Sequence, residues 1–394
     1  MQRATAAIHG GTRAEGMAGA FPYPVFQSAA FAHASAEEMA AVFAGRAPGF
    51  LYSRISNPTT LALESRLAAM DGGIGCIATA SGMAAITAVF LSLLRPGDEF
   101  VAVRGIFGGT VSLFTHLLQR FGIEARFVDA GDAWALHAAV TPRTRLLFAE
   151  TITNPSMDVP DLAAWSAAAR EAGVPMVVDA TVTTPALGDA KGLGADLAVY
   201  STTKFINGHG NALGGAVVDT GRYDWAASPF EDLRAWARKA GPMAFLAYLR
   251  NRTHRDLGAC TAPMNAWLTL QGLETLHARM AIACSNALSL ARFLEAHGGP
   301  VQSVRYPGLG GSPYRERIQR QFGGAGGAIL TFDLASREAA FACLNRFRLA
   351  QRMANLGDVR TLVLHPASTI FSSSSSSTRL LCRPISSATS VRRH

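Results

Sequence analysis

The chain has 394 residues and is 49% hydrophobic, enough for two packed domains, and its longest apolar run, around Ala84 to Leu94, is too short to span a membrane. Thirty-six basic against 28 acidic residues give a net charge of +8; the arginines are dispersed, with no aromatic-interleaved basic patch, so a small-molecule substrate is expected rather than nucleic acid. The five cysteines and ten histidines show no metal-ligand spacing, and the N-terminus has no charged-then-apolar signal pattern, so the expectation is a metal-free, cytoplasmic protein with reduced thiols.

Residues 1–60 read as a Gly/Pro-rich N-terminal arm with one helical stretch at Ala36–Ala44. From 61 to 250 strands and helices alternate, the pattern of a mostly parallel sheet with helical crossovers. Expected strands are Cys76–Thr79, Phe100–Val103, Glu124–Val128, Arg145–Ala149, Met176–Asp179 and Leu197–Tyr200. Expected helices are Met83–Leu94, Thr110–Arg120, Ala133–Val140 and Asp161–Ala172, the last with Asp161 as N-cap. A smaller domain is expected over 251–371. It opens with a long helical stretch, Met264–Glu295, broken near Gln271-Gly272, and includes a strand at Ala328–Asp333. Residues 372–394 begin with six serines and are rich in Ser and Arg, the composition of a disordered tail.

Three local features carry chemistry. In Ser201-Thr202-Thr203-Lys204-Phe205-Ile206-Asn207-Gly208-His209-Gly210 a lysine follows a run of hydroxyls and precedes a glycine-rich turn. The hydroxyls can bond a phosphate, glycines let backbone approach a flat ligand, and the lysine can form a Schiff base with an aldehyde. Alone, this stretch reads equally as a surface lysine beside a Ser/Thr loop. Asp179 ends the apolar run Val174–Asp179, where an acid faces the ligand crevice of an α/β sheet or caps the next helix. Ser81-Gly82-Met83 sit at a helix start, where free N–H groups favour an anion.

These motifs occur in the order Tyr52-Ser53-Arg54-Ile55-Ser56-Asn57-Pro58-Thr59, Ser81-Gly82-Met83, Glu150-Thr151-Ile152-Thr153-Asn154-Pro155, Asp179 and Ser201-Thr202-Thr203-Lys204. In that order the chain resembles the Cys/Met-metabolism family of pyridoxal phosphate enzymes, from about residue 5 to about residue 371. The resemblance implies an α/β, aspartate aminotransferase-like fold (fold type I) with a mostly parallel large domain and a smaller α+β C-terminal domain. It implies pyridoxal 5'-phosphate bound to Lys204, which also shuttles protons at the substrate. Asp179 is implied to pair with the ring nitrogen. Ser81, Gly82, Met83, Ser201 and Thr203 are implied to hold the phosphate, Phe107 to stack on the ring, and Asn154 and Thr181 to complete the cofactor set. Tyr52 and Arg54 are implied to reach the phosphate of a neighbouring subunit, so that sites are shared within a homo-oligomer, expected to be a tetramer.

For the reaction, Phe107-Gly108-Gly109-Thr110, Ala354-Asn355-Leu356-Gly357-Asp358 and the stretches His254–Cys260 and Gln271–Leu276 resemble the sulfhydrylase members. Related methionine γ-lyases usually carry cysteine where Gly109 stands and serine where Asn355 stands, so Asn355 is expected to contact substrate. The expected reaction is γ-replacement on O-acetylhomoserine or O-succinylhomoserine by sulfide or a thiol, giving homocysteine or methionine. The alternatives are a methionine or cystathionine γ-lyase and cystathionine γ-synthase. Two departures point to a further class, a cofactor-binding protein with weak or no turnover. Phe107 replaces the family's tyrosine and loses its hydroxyl. After Phe371 the family's carboxylate-binding arginine cannot be assigned; a shifted reading frame accounts for the tail, with a lineage-specific tail as the alternative.

Overall fold

The computed structural model describes residues 1–11, 20, 22–297, 299–370 and the strand 388–392. Seven strands form the larger sheet: β1 (Gly75–Thr79), β2 (Glu99–Val103), β3 (Glu124–Val128), β4 (Thr144–Glu150), β5 (Met176–Asp179), β6 (Leu197–Tyr200) and β7 (Gly215–Asp219). Their order is β1-β7-β6-β5-β4-β2-β3. Strands β2 to β6 run parallel, and β7 alone is antiparallel to both of its neighbours. Every residue of β2, β6 and β7 is buried. Covered on both faces, such strands are written as unbroken apolar runs rather than alternating ones.

Helices α1 (Arg3–His9), α2 (Ala36–Phe43) and α3 (Pro58–Asp71) precede the sheet. Within it come α4 (Gly82–Leu93), α5 (Gly108–Ser112), α6 (Ala133–Ala139), α7 (Leu162–Glu171) and α8 (Thr184–Leu187). After β7 follow α9 (Glu231–Ala240), α10 (Ala244–Leu249), α11 (Arg255–Leu257), α12 (Pro263–Glu274) and α13 (Leu276–His297). Helix ends follow local chemistry. Asn57 caps α3 by accepting from the Thr59 N–H, Pro58 occupies the first turn, and Gly72 closes the helix at φ +63°. Asp161 caps α7 through the Ala164 N–H.

Two helical expectations differ from the structure. Thr110–Arg120 is not one α-helix: α5 passes into a π-helical turn, Leu113–Leu117, and a 3-10 turn, Gln119–Phe121. The wider turn, closed by Leu118 N–H donating to the Leu113 carbonyl, lets Leu113, Phe114 and Leu118 all face the core. The helical stretch after Met264 breaks at Thr275, not at Gly272. Gly272 lies inside α12, where a Cβ would overlap the Asn207 carbonyl; it serves close packing, not helix termination.

The smaller sheet contains β8 (Val301–Arg305), β9 (Leu330–Leu334), β10 (Gln351–Arg352), β11 (Leu362–Leu364) and β12 (Ala388–Arg392), in the order β10-β11-β12-β9-β8. Helices α14 (Arg315–Phe322) and α15 (Arg337–Arg346) accompany it. The tail expected to be disordered includes β12, which pairs antiparallel with both β11 and β9; residues 372–387 and 393–394 lie outside the described residues. Helix α13 joins the two units. Met280 and Ala283 belong to the core under the large sheet, while Ala287 and Ala291 belong to a second core with Tyr306, Leu330, Phe332 and Leu344. Among the described residues no helix is long and apolar enough to cross a membrane.

Four phenylalanines anchor the large core. Phe90 on α4 meets Phe100, Phe114 and Phe148 at centroid distances of 4.8, 4.7 and 5.7 Å. This cluster fixes α4, whose first turn borders the site described below. Phe90→Ala should therefore destabilise the protein by about 3–5 kcal/mol, read as a lowered midpoint in guanidinium unfolding. An unchanged midpoint would contradict the packing role.

Candidate active site

The carboxyl ends of the parallel strands converge on one edge of the large sheet, the usual ligand crevice of such folds. An open cleft lies there. Gly82, Met83, Phe107, Asn154, Asp179, Thr181, Ser201, Lys204 and Asn355 all line it, as does Glu150. Nine of the residues singled out in the sequence thus meet in one place. Tyr52, Arg54, Ser81 and Thr203 do not line it.

The lysine turn leaves β6 directly. Lys204 N–H donates to the Ser201 carbonyl at 3.1 Å, and Gly208 N–H donates to the Lys204 carbonyl at 2.8 Å. The Thr203 hydroxyl donates to the Gly214 carbonyl (3.1 Å) and accepts from the Gly214 N–H (3.0 Å), so it braces the turn. A loop from the smaller unit lies over this turn. Gly357, at φ +75°, sits where any Cβ would overlap Phe205 backbone, and Val359 N–H donates to the Gly208 carbonyl at 2.7 Å. The same loop carries Asn355, whose Oδ1 accepts from Lys204 Nζ at 2.8 Å.

The glycines after Lys204 have a different role from the one read in the sequence. Gly208 and Gly210 have φ of +78° and +66°. A Cβ at Gly208 would overlap the Arg279 guanidinium, and one at Gly210 would overlap the Asp358 carboxyl. They make room for protein side chains, not for a flat ligand.

The acid end of the cleft is built by register. Glu150 and Asp179 pair across β4 and β5, so their side chains emerge together. Asp179 Oδ1 accepts from the Thr181 N–H (2.9 Å), and the Thr181 hydroxyl accepts from the Ser201 N–H (2.8 Å), tying β5 to the lysine turn. Glu150 Oε1 accepts from the Phe107 N–H (2.8 Å) and Oε2 from the Asn154 N–H (3.0 Å). Burial pushes both carboxyls above their ordinary range, Glu150 well above it with Asp179 adding repulsion; hydrogen bonds pull each partly back. Glu150 was quoted in the sequence only as part of a motif. The usable signal was its position at a strand end, level with Asp179.

Phe107 precedes α5, and its ring lies over Gly109, where a Cβ would come within 2.6 Å of ring Cε1. That contact explains why glycine, not a larger residue, stands at 109. Asn154 Oδ1 is buried without a hydrogen-bond partner. Ser81 caps α4 by accepting from the Ala84 N–H at 3.1 Å. A Cβ on Gly82 would come within 2.6 Å of Ser201 Cβ, so glycine lets the helix start abut the lysine turn. The N–H groups of Gly82 and Met83 have no intrahelical acceptor. Arg54 lies elsewhere: it donates to the Arg255 carbonyl at 2.9 Å, and its guanidinium stands 5.5 Å from the Tyr52 ring centroid. Among the described residues no arginine lines the cleft.

These residues fit pyridoxal phosphate. An amine in the cleft suits an aldehyde, a buried acid pair suits a cationic ring, a helix start suits a phosphate, and the orphaned Asn154 oxygen awaits a polar partner. Comparison with known proteins agrees. A family model for Cys/Met metabolism PLP-dependent enzymes matches residues 4–382. An O-acetyl-L-homoserine sulfhydrylase of Leptospira meyeri is 36% identical over 390 residues, spanning 93% of this chain and 87% of the relative. An L-methionine gamma-lyase of Pseudomonas putida is 39% identical over 372 residues, spanning 94% and 87%. A solved structure from Campylobacter jejuni superposes with a TM-score of 0.93 at 31% identity, covering 100% of this chain and 96% of that one, and bears N'-pyridoxyl-lysine-5'-monophosphate at its position 205.

The raised carboxyl has a measurable sign. An acid whose folded pKa lies above its unfolded value costs nothing while protonated and costs stability as pH rises through the folded pKa. In cofactor-free protein, Asp179→Asn keeps the Oδ1 acceptor and removes the charge. At about pH 8 it should melt higher than wild type, with the difference shrinking toward about pH 5. A variant that melts lower at the higher pH would refute the buried-charge assignment.

Proposed function

The chain belongs to the Cys/Met metabolism PLP-dependent enzymes, and from that membership we infer that its reaction is γ-replacement: an activated homoserine ester plus sulfide or a small thiol gives homocysteine or methionine. The observation that carries this reading is the Lys204–Asn355 contact at 2.8 Å inside the cleft. Lys204 is the only basic residue lining the cleft among the described residues, and Asn355 is the side chain that marks the sulfhydrylase-like pattern. The sulfhydrylase names of relatives support the same reading.

When bound, pyridoxal phosphate supplies an electron sink for negative charge developing on the substrate carbons. The chain's residues supply the rest. Lys204 would hold the cofactor through Nζ. Asp179 would keep the ring nitrogen protonated, with Thr181 fixing its carboxylate. The start of α4 and Ser201 would take the phosphate, with Ser81 and Thr203 bracing those two segments. Phe107 would cover the ring, and Asn154 Oδ1 would find its missing partner at the ring's edge. Once freed by the substrate amine, Lys204 Nζ would remove the α proton and then move a proton at the β carbon, steered by Asn355. The γ carbon–oxygen bond breaks, the ester oxygen leaving with its electron pair. The thiol sulfur then bonds to that carbon and gives up its proton, and Lys204 Nζ would return protons to the β and then the α carbon before the product leaves.

Tyr52 and Arg54 would complete the phosphate site of a neighbouring subunit, making the working unit at least a homodimer. Their position off the chain's own cleft, with Tyr52 45% exposed, supports this. A second reading, cofactor binding with slow turnover, is favoured by one observation: Phe107 brings no hydroxyl to the cleft.

Steady-state assay with O-acetylhomoserine and sulfide should yield homocysteine. α-Ketobutyrate from methionine alone, without replacement, would make the chain a lyase instead. Phe107→Tyr should raise γ-elimination turnover about tenfold or more, since a positioned acid–base group contributes about 10²–10⁴. If turnover does not change, the missing hydroxyl is not what limits the rate.

A further inference from the structure

The stretch Gln271–Leu276 resembles the sulfhydrylases, yet no step above uses it. Its structural meaning lies three residues further on, at Arg279 in the first turn of α13. Arg279 Nη1 donates to the Phe205 carbonyl at 2.7 Å, and Nη2 donates to the carbonyls of Ile206 (3.2 Å) and Gly272 (2.6 Å). Nε donates to the Thr275 hydroxyl at 3.0 Å. Phe205 and Ile206 immediately follow Lys204.

Among the described residues no ion pair joins this cation to an acid; three carbonyls and one hydroxyl accept from it. Burial lowers its pKa to about 10, which leaves it charged at neutral pH. One glycine admits it and a second lets α12 approach. A Cβ at Gly208 would overlap its guanidinium, and one at Gly272 would overlap the Asn207 carbonyl, keeping α12 away from the lysine turn. Three segments therefore close on one guanidinium: the lysine turn, the end of α12 and the start of α13. A planar fork can address diverging carbonyls on the lysine turn and on α12 together; an ammonium is a point charge.

We propose that Arg279 is the positioning residue for Lys204, holding the turn so that Nζ points into the cleft; the proposal rests on Lys204 being the cofactor lysine. Helix α13 also runs into the second core, so the same contact ties the lysine turn to the smaller unit, which carries Asn355. A general contribution to stability would lower the melting temperature and leave the site intact. A positioning role alters how the cofactor is held.

The test reconstitutes cofactor-free full-length protein with pyridoxal phosphate and follows the visible absorbance band, its pH midpoint and the dissociation constant. Arg279→Met should bind about tenfold more weakly or worse and shift the midpoint; Arg279→Lys should fall between it and wild type. Leu344→Ala, in the second core, is the matched control: a lower melting temperature with wild-type affinity and spectrum. If both Arg279 variants behave like that control, Arg279 does not position Lys204. If the methionine variant does not fold, the lysine variant decides by the same readouts. Failure of wild type to bind the cofactor at all would instead overturn the cofactor assignment, and this proposal with it.

Discussion

Two buried carboxyl groups side by side are costly unless a positive charge joins them. Glu150 and Asp179 stand level at the ends of neighbouring parallel strands. The rest of the site is arranged around that constraint. The two oxygens of Glu150 hold the backbone of Phe107 and Asn154, two residues that line the cleft. Asp179 is held by Thr181, which in turn holds Ser201 at the root of the lysine turn. A cationic ring bound here would satisfy the acids and be oriented by the groups they already fix.

The lysine itself is placed mainly by backbone. Thr203 and Gly214 lock one side of its turn, Arg279 caps the next carbonyls, and the Gly357 loop covers it. Several of these contacts come from beyond residue 270. The Lys204 amine therefore depends on the smaller unit as well as on the sheet, and α13, which takes part in both cores, is the physical connection.

Much of the large sheet was legible from sequence because burial on both faces leaves apolar runs that end abruptly in a polar residue. Met176–Asp179 and Leu197–Tyr200 are such runs, and β5 and β6 match them residue for residue. The antiparallel β7 has the same texture but follows Gly214, which reads as loop. The π-helical turn was hidden because its spacing differs from the ordinary helical period. In the smaller unit β8 alternates weakly and β10 has two residues, too little pattern to detect. Nine of the residues singled out in the sequence meet in the cleft. Glu150 was passed over because a strand-end glutamate looks like any boundary. Arg279 was invisible for a deeper reason: its partners are carbonyl oxygens, which every residue carries and no sequence pattern marks.

Borohydride reduction of the cofactor-loaded protein followed by peptide mapping tests the central claim most directly, since it reports which amine carries the aldehyde. The account predicts a single pyridoxyl group, on Lys204, in the peptide that follows β6. A pyridoxyl group on any other residue, or none under conditions where the cofactor is bound, would contradict it.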